Sequence, residues 1–306
     1  MAFNDNSSFD SRSVRRRSGG GGFRPSGRGA AIGGGGGLLL LIIGFLSVQY
    51  LGVDVTQLLN GGASYGSNSY QPAYQDEDFS CTGAEANSNQ DCRFEGAAYT
   101  LEQYWAKSAA QVGVESYHDP KTILYNGSTS SACGAASNAV GPFYCSADES
   151  IYIDGNFFEI LKQRYGAQGG PLAEMYVLAH EWGHHIQHLQ GVLRQVDHRD
   201  VGPDSGMVRL ELQADCYAGA WMGEASQVED ASGNRVLYPP TEAELLQTVS
   251  AAQAVGDDNI QQQSGMSVEP ETFSHGSSEQ RVRWLMRGYE NGATSCDTFA
   301  VAGNQL

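Results

Sequence analysis

Positive charge is scarce in this chain. Eighteen lysines and arginines stand against 35 aspartates and glutamates, a formal net charge of −17 over 306 residues. The deficit is uneven. Residues 1–53 carry Arg12, Arg15, Arg16, Arg17, Arg24 and Arg28 against Asp5 and Asp10, a net of +4, which leaves −21 for the remainder. So acidic a body repels phosphate backbones, and a nucleic-acid partner is not expected. Internal repeats are missing too. No two of the six cysteines are spaced as CxxC, so zinc held by cysteine is not expected.

Charge is missing altogether from AAIGGGGGLLLLIIGFLSVQYLGV, residues 30–53. As a helix, 24 residues span roughly 36 Å, enough for a bilayer core. The arginines lie before this run and Asp54 follows it, which puts the N-terminus in the cytoplasm and the body outside. A cleavable signal peptide is the rival reading, because the strongly apolar centre, Leu38–Val48, has only 11 residues. No good small-x-small cleavage site follows at once. The expected organisation is a disordered Arg/Gly/Ser-rich cytoplasmic arm over 1–29 and a single transmembrane anchor over 30–53. A Gly/Ser/Asn/Tyr-rich linker over 54–80 and one domain over 81–306 follow.

All six cysteines follow the apolar run. An even number beyond a membrane segment fits disulfides in an oxidising compartment. Proximity favours Cys81–Cys92 and Cys133–Cys145, leaving Cys216–Cys296.

Thr100, with Gln103, can cap a helix over 101–112. KTILYNG reads as a strand ending in an Asn-Gly turn, and GPFYCSADESIYID as two short strands around a polar turn. The helix FFEILKQRY follows. Pro171 suits a first helical position and Gly191 a C-terminal stop, so Pro171 to Gln190 is expected to be one helix. A second runs from about Ser205 to Gln227. Capping boxes at Thr241/Glu244 and Ser277/Gln280 open two more. Few strands followed by segregated helices define an α+β class, mainly helical with a small antiparallel sheet.

HEWGHHIQHLQG, residues 180–191, holds four histidines and one glutamate within nine positions. His180-Glu181-Trp182-Gly183-His184 is an HExxH. Two histidines four apart on a helix project side by side and can bind one zinc through neutral imidazole nitrogens. Glu181 is offset by one position, where it can take a proton from the attacking water. A hydrolytic zinc needs a third protein ligand. A histidine six positions after His184, the metzincin arrangement, is missing, since position 190 is Gln. His185 points about 100° away from His184. His188 lies one turn on, but three ligands down one helix would strain the geometry. His118 and His198 have no supporting pattern.

ELQAD supplies a better candidate. Glu211 and Asp215 fall on the inward face of their helix with Met207, Val208, Ala214, Ala218 and Gly219. Carboxylates buried there need something cationic opposite. Glu211 as third ligand answers that need, with Asp215 holding the far N–H of a ligand histidine. A carboxylate pair meeting Arg or Lys from elsewhere is the plainer alternative.

HEWGHHIQ, ELQADCYAG, CGAAS…GPFYCSADESIYID and FSHGSSEQRVRWL together resemble the bacterial neutral zinc metallopeptidase family of the broad HExxH class, over about 81–300. The resemblance implies a zincin-like fold, Zn2+ held by His180, His184 and Glu211, Glu181 as base, and a peptide or protein substrate laid along an edge strand. It also implies that His275 is an oxyanion donor, with Arg281 steadying the site or the substrate. The resulting expectation is a membrane-anchored extracytoplasmic zinc metalloendopeptidase. A catalytically silent, zinc-stabilised binding or scaffold protein is the alternative, and it has no need of Glu181. An amidase on cell-wall peptides differs only in substrate.

Overall fold

The computed structural model describes residues 1–18, 74–137 and 141–306. The expected membrane segment at 30–53, and the linker up to residue 73, lie outside the described residues.

The first 18 residues are part of the body, which corrects the expected disordered arm over that stretch. Strand β1 (Ser8–Phe9) pairs antiparallel with Cys81–Thr82. Strand β2 (Val14–Ser18) pairs antiparallel with β3 (Gln75–Glu77) on one side and parallel with Lys121–Tyr125 on the other. The reason is a few well-placed apolar groups. Phe3, Phe9 and Val14 are at most 4% exposed. The rings of Phe3 and Phe9 lie over Gly96, where a Cβ would come within 2.3 Å of Phe3. Ser11 and Ser13 both donate to the carboxylate of Glu102 at 2.6 Å.

This pairing has a topological consequence. Strands β2 and β3 flank the undescribed stretch and hydrogen-bond to each other. A chain crossing a bilayer once between them would place them on opposite faces. A single pass at 30–53 would therefore separate two paired strands. Among the described residues no helix is long and apolar enough to cross a membrane.

After β4 (Cys81–Thr82) come α1 (Gly83–Ala86) and α2 (Gln90–Ser108). Helix α2 opens eleven residues before the expected start, because Asn89 caps it through the amide of Cys92. Thr100 sits inside the helix, its hydroxyl on the carbonyl of Ala97. Phe94, Ala97, Ala98, Leu101 and Trp105 recur at spacings of three and four and are fully buried.

Strands β5 (Lys121–Tyr125), β6 (Ser128–Ser131), β7 (Gly134–Ser137), β8 (Phe143–Cys145) and β9 (Ser150–Asp154) follow. The main sheet has the order β3-β2-β5-β9-β8, and β6-β7 is a separate hairpin. Strands β2, β5 and β9 run parallel, and only the outer two are antiparallel. The expected antiparallel sheet is therefore a mixed one. The local β8–β9 turn is antiparallel, but the long excursion from β5 to β9 permits parallel pairing. Strand β8 forms one edge of the sheet.

The rest is helical: α3 (Phe157–Tyr165), α4 (Pro171–Gln190), α5 (Gly206–Glu224), α6 (Glu242–Ala254), α7 (Asp257–Gln263) and α8 (Ser278–Asn291). Ser205, Thr241 and Ser277 cap as their side chains allow, and Gly191 closes α4 in the left-handed region at φ 78°. Helices α4, α5 and α8 form the centre. Gly288 lets α8 close on α5, since a Cβ there would sit 1.8 Å from the carbonyl oxygen of Cys216. Three disulfides form: Cys81–Cys92 and Cys133–Cys145, the pairs that proximity favours, and Cys216–Cys296, the pair it leaves. The class is α+β.

Candidate metal centre

Helix α4 is buried almost all round. His180, Glu181 and His184 are 7%, 7% and 3% exposed, so these polar groups need partners inside the protein. Those partners come from α5, which lies against α4 because Gly183 faces Ala214. A Cβ on Gly183 would stand 2.9 Å from the Ala214 Cα.

One turn before Ala214, the Glu211 carboxylate reaches both histidines. Its Oε2 is 3.2 Å from His180 Nε2 and its Oε1 3.5 Å from His184 Nε2. One ligand atom from each of His180, His184 and Glu211 lies within 4.8 Å of the other two. No other trio of that kind occurs among the described residues. His188 is not part of it: its Nε2 is 3.3 Å from Glu149. His185 turns to the Tyr144 hydroxyl and the His118 carbonyl, and His118 is exposed beside Glu149.

Each histidine is held by its other nitrogen. His180 Nδ1 is 2.8 Å from Asp215 Oδ1, and His184 Nδ1 is 2.9 Å from Gln187 Oε1. Both Nε2 atoms are thereby aimed at the centre, as metal-ligating histidines require. Asp215 is where the sequence reading puts it. Gln187 is a partner that reading missed, although its place one turn from His184 is a usable signal. Its amide in turn donates to the Leu210 carbonyl and to Gln213. Tyr176, also missed, donates to Asp215 Oδ1 at 2.6 Å.

Arg281, on α8, ion-pairs with Asp215 at 2.9 Å and lies 3.7 Å from Glu211. It is 3% exposed and steadies the carboxylates from behind. The two readings of the carboxylate pair thus coexist: Asp215 meets an arginine and a histidine, while Glu211 faces both imidazoles. His275 lines the same cavity as His180, Glu181, His184 and Glu211. Its orientation comes from Asp257, at the start of α7. One Asp257 oxygen lies 3.0 Å from His275 Nδ1, and the other accepts the amides of Ser274, His275 and Gly276. Asp257 was not singled out in the sequence, where no motif marks it.

Burial disfavours charge on His180, yet Asp215 and Glu211 outweigh it and push the imidazole up to about 10. Burial holds His184 down at about 4, in its neutral, donor-ready form. Against the cost of burial, His184 and His180 keep Glu211 well below the usual carboxylate range. Burial, with help from Glu211, lifts Glu181 to about 7, while His180 and the Tyr144 amide pull the other way. Without a metal, Glu211 and Asp215 are met by Arg281 and by the protonated His180. Two imidazoles and a carboxylate are donors that suit zinc. A dication between His180, His184 and Glu211 would take the place of the proton on His180.

The profile of the family described as "Putative neutral zinc metallopeptidase" matches residues 1–299. The chain belongs to that family. It is 42% identical over 223 residues to the uncharacterized protein Rv2575 of Mycobacterium tuberculosis, covering 72% of this chain and 74% of that one. It is 37% identical over 265 residues to the uncharacterized protein YpfJ of Escherichia coli K12, covering 84% and 85%. No solved structure matches the chain.

Proposed function

We propose that this chain is an exported zinc metalloendopeptidase built on a zincin-like plan. The observation that carries the reading is the convergence of His180 Nε2, His184 Nε2 and the Glu211 carboxylate, with Glu181 beside them and one position along the same helix. Zinc held by those three groups would polarise a peptide carbonyl and acidify the attacking water. Glu181, lifted to about 7, is poised to accept the proton of that water at its carboxylate and pass it to the leaving amine. His275, anchored through Nδ1, has Nε2 left to donate to the developing oxyanion. Arg281 is committed to Asp215, which supports a positioning role over contact with substrate. Strand β8 ends the described sheet, and Gly141 and Pro142 just before it line the cavity, which supports an extended peptide lying along this side of the site.

Export rests on the three disulfides, which persist in oxidising compartments. If residues 30–53 attach the protein to a membrane, both flanks must return to one face of it.

The test uses the purified full chain. Elemental analysis should find about one zinc per chain, lost in Glu211→Ala and kept in His188→Ala. Glu181→Gln should keep the metal and lose peptide hydrolysis. Undiminished cleavage by Glu181→Gln would defeat the mechanism, and a folded wild type without zinc would remove the reading altogether. A silent scaffold predicts zinc binding with no hydrolysis in either protein.

A further inference from the structure

Beside the metal centre the cavity continues into an apolar pocket. Phe157, Leu161 and Tyr165 form one wall, at i, i+4 and i+8 on α3. Val177, one turn before His180 on α4, forms the floor nearest the ligands. Val255 and Ile260, where α6 passes into α7, close the far side. Gly141, next to β8, lines the pocket too. Gly141 has φ 83°, and a Cβ there would press on the Phe157 ring at 3.1 Å, so this part of the lining favours glycine.

The charged groups of this cavity sit at the metal site. Arg281 faces Asp215, His275 faces Asp257, and His180, His184 and Glu211 face one another. No lysine, arginine, aspartate or glutamate lines the apolar part. A charged side chain entering it would lose its hydration and gain no partner. An aliphatic or aromatic side chain would bury its surface against six apolar residues.

We propose that this pocket makes the enzyme select a large apolar residue, leucine or phenylalanine in kind, at one position flanking the scissile bond. The proposal rests on the peptidase reading above and assigns its substrate class. Hydrophobic pockets discriminate by roughly tenfold or more per missing methylene. Peptides with Leu or Phe at that position should therefore be cleaved at least about a hundredfold faster, in kcat/KM, than those with Ala, Asp or Lys.

The experiment is cleavage of a position-scanned peptide mixture by the zinc-loaded full chain, with products sequenced by mass spectrometry. Enrichment of Leu, Phe, Met or Ile on one side of the cut supports the assignment. Cleavage indifferent to both flanking residues, or favouring charged ones, overturns it and leaves the peptidase reading standing. No cleavage of any peptide by the zinc-loaded protein overturns both. Val255→Phe, which narrows the pocket without touching the metal residues, serves as a second probe. Its ratio of Phe-peptide to Ala-peptide kcat/KM, measured on one preparation so that folded fraction cancels, should fall at least about tenfold. An unchanged ratio in Val255→Phe overturns the assignment independently.

Discussion

Gly183 and Ala214 touch. A Cβ built on Gly183 would come 2.9 Å from the Ala214 Cα and 3.1 Å from its carbonyl oxygen. This contact sets how closely the helix bearing His180 and His184 approaches the helix bearing Glu211. The obstacle is backbone, so it cannot swing aside. Gly183→Ala should therefore push α4 and α5 apart, even though alanine is the better helix former. Overpacking of this kind costs about 1–3 kcal/mol, against a gain of about 1 kcal/mol from propensity. The measurements are the urea midpoint and zinc affinity of the variant. A more stable protein with unchanged zinc affinity would show that the helices do not need this contact.

The two ligand helices were legible in the sequence because their signals are local. Pro171 and Gly191 bound one, and Ser205 caps the other. The HExxH spacing and the inward position of Glu211 needed only helical periodicity. What was not legible depends on distant partners. Met1–Ser18 has four apolar residues deep in the core among many polar ones, and composition cannot show that Phe3 and Phe9 will meet Gly96. Parallel pairing of β5 with β9 is likewise a tertiary fact. Thr100 followed by Gln103 imitated a helix start, whereas the cap is Asn89. Asp257 gains its role only once α7 brings it under His275.

Asp215 is expected to set metal affinity without touching the metal. Its carboxylate holds His180 Nδ1 at 2.8 Å and is itself fixed by Tyr176 and Arg281. Asp215→Asn keeps the shape but removes the charge that raises the basicity of His180. Loss of such a partner lowers metal affinity about 10–100-fold. Tyr176→Phe, which removes one donor to Asp215, should cost less. Competition for zinc against a chromophoric chelator decides the matter. Equal affinities in folded Asp215→Asn and wild type would mean that His180 is oriented by something else.

His275 and Asp257 should separate in kinetics from the zinc ligands. If His275 donates to the oxyanion, His275→Ala loses about 10²–10³ in kcat with zinc content intact. Asp257→Asn keeps an acceptor for the amides of Ser274, His275 and Gly276 but weakens the hold on His275 Nδ1. Its kcat should fall by less, and KM should stay near the wild-type value. A His275→Ala enzyme with full kcat would leave the oxyanion to zinc alone.

Stability should fall with rising pH in a window set by Glu95. This residue is fully buried on α2 beneath the N-terminal segment. Burial pushes its carboxyl up to about 8, against the pull of the Ser11 amide and with help from Asp10. The folded value thus lies above the ordinary 4.5. Below about 4.5 the group is protonated in both states and its contribution is full. That contribution is lost as pH rises through about 8, because the folded state must then ionise a buried acid. Glu95→Gln has no proton to lose. Urea midpoints of the two proteins between pH 5 and 9 should show the wild type losing ground to the variant as pH rises. A constant difference across that range would mean that Glu95 is solvated or already ionised.

The N-terminus and the body that carries the metal centre's residues should face the same compartment. Arg16 pairs with Glu77 and Arg17 with Asp76 across β2 and β3, and Arg17 Nε reaches Asp76 at 2.6 Å. Val14 is 1% exposed on the same strand. A bilayer between these strands would break every one of these contacts and expose Phe3, Phe9 and Val14. Asn6→Cys and Glu242→Cys place exposed thiols on the N-terminal segment and on α6. In intact cells a membrane-impermeant maleimide should label both sites together, as it would on an exported protein. Labelling of Glu242→Cys without Asn6→Cys would restore the single-pass arrangement and detach β2 from the sheet. Labelling of neither, with both labelled after lysis, would keep the strand pairing and place the whole protein inside. The disulfides would then be the feature left without a reason, since a reducing interior would not maintain them.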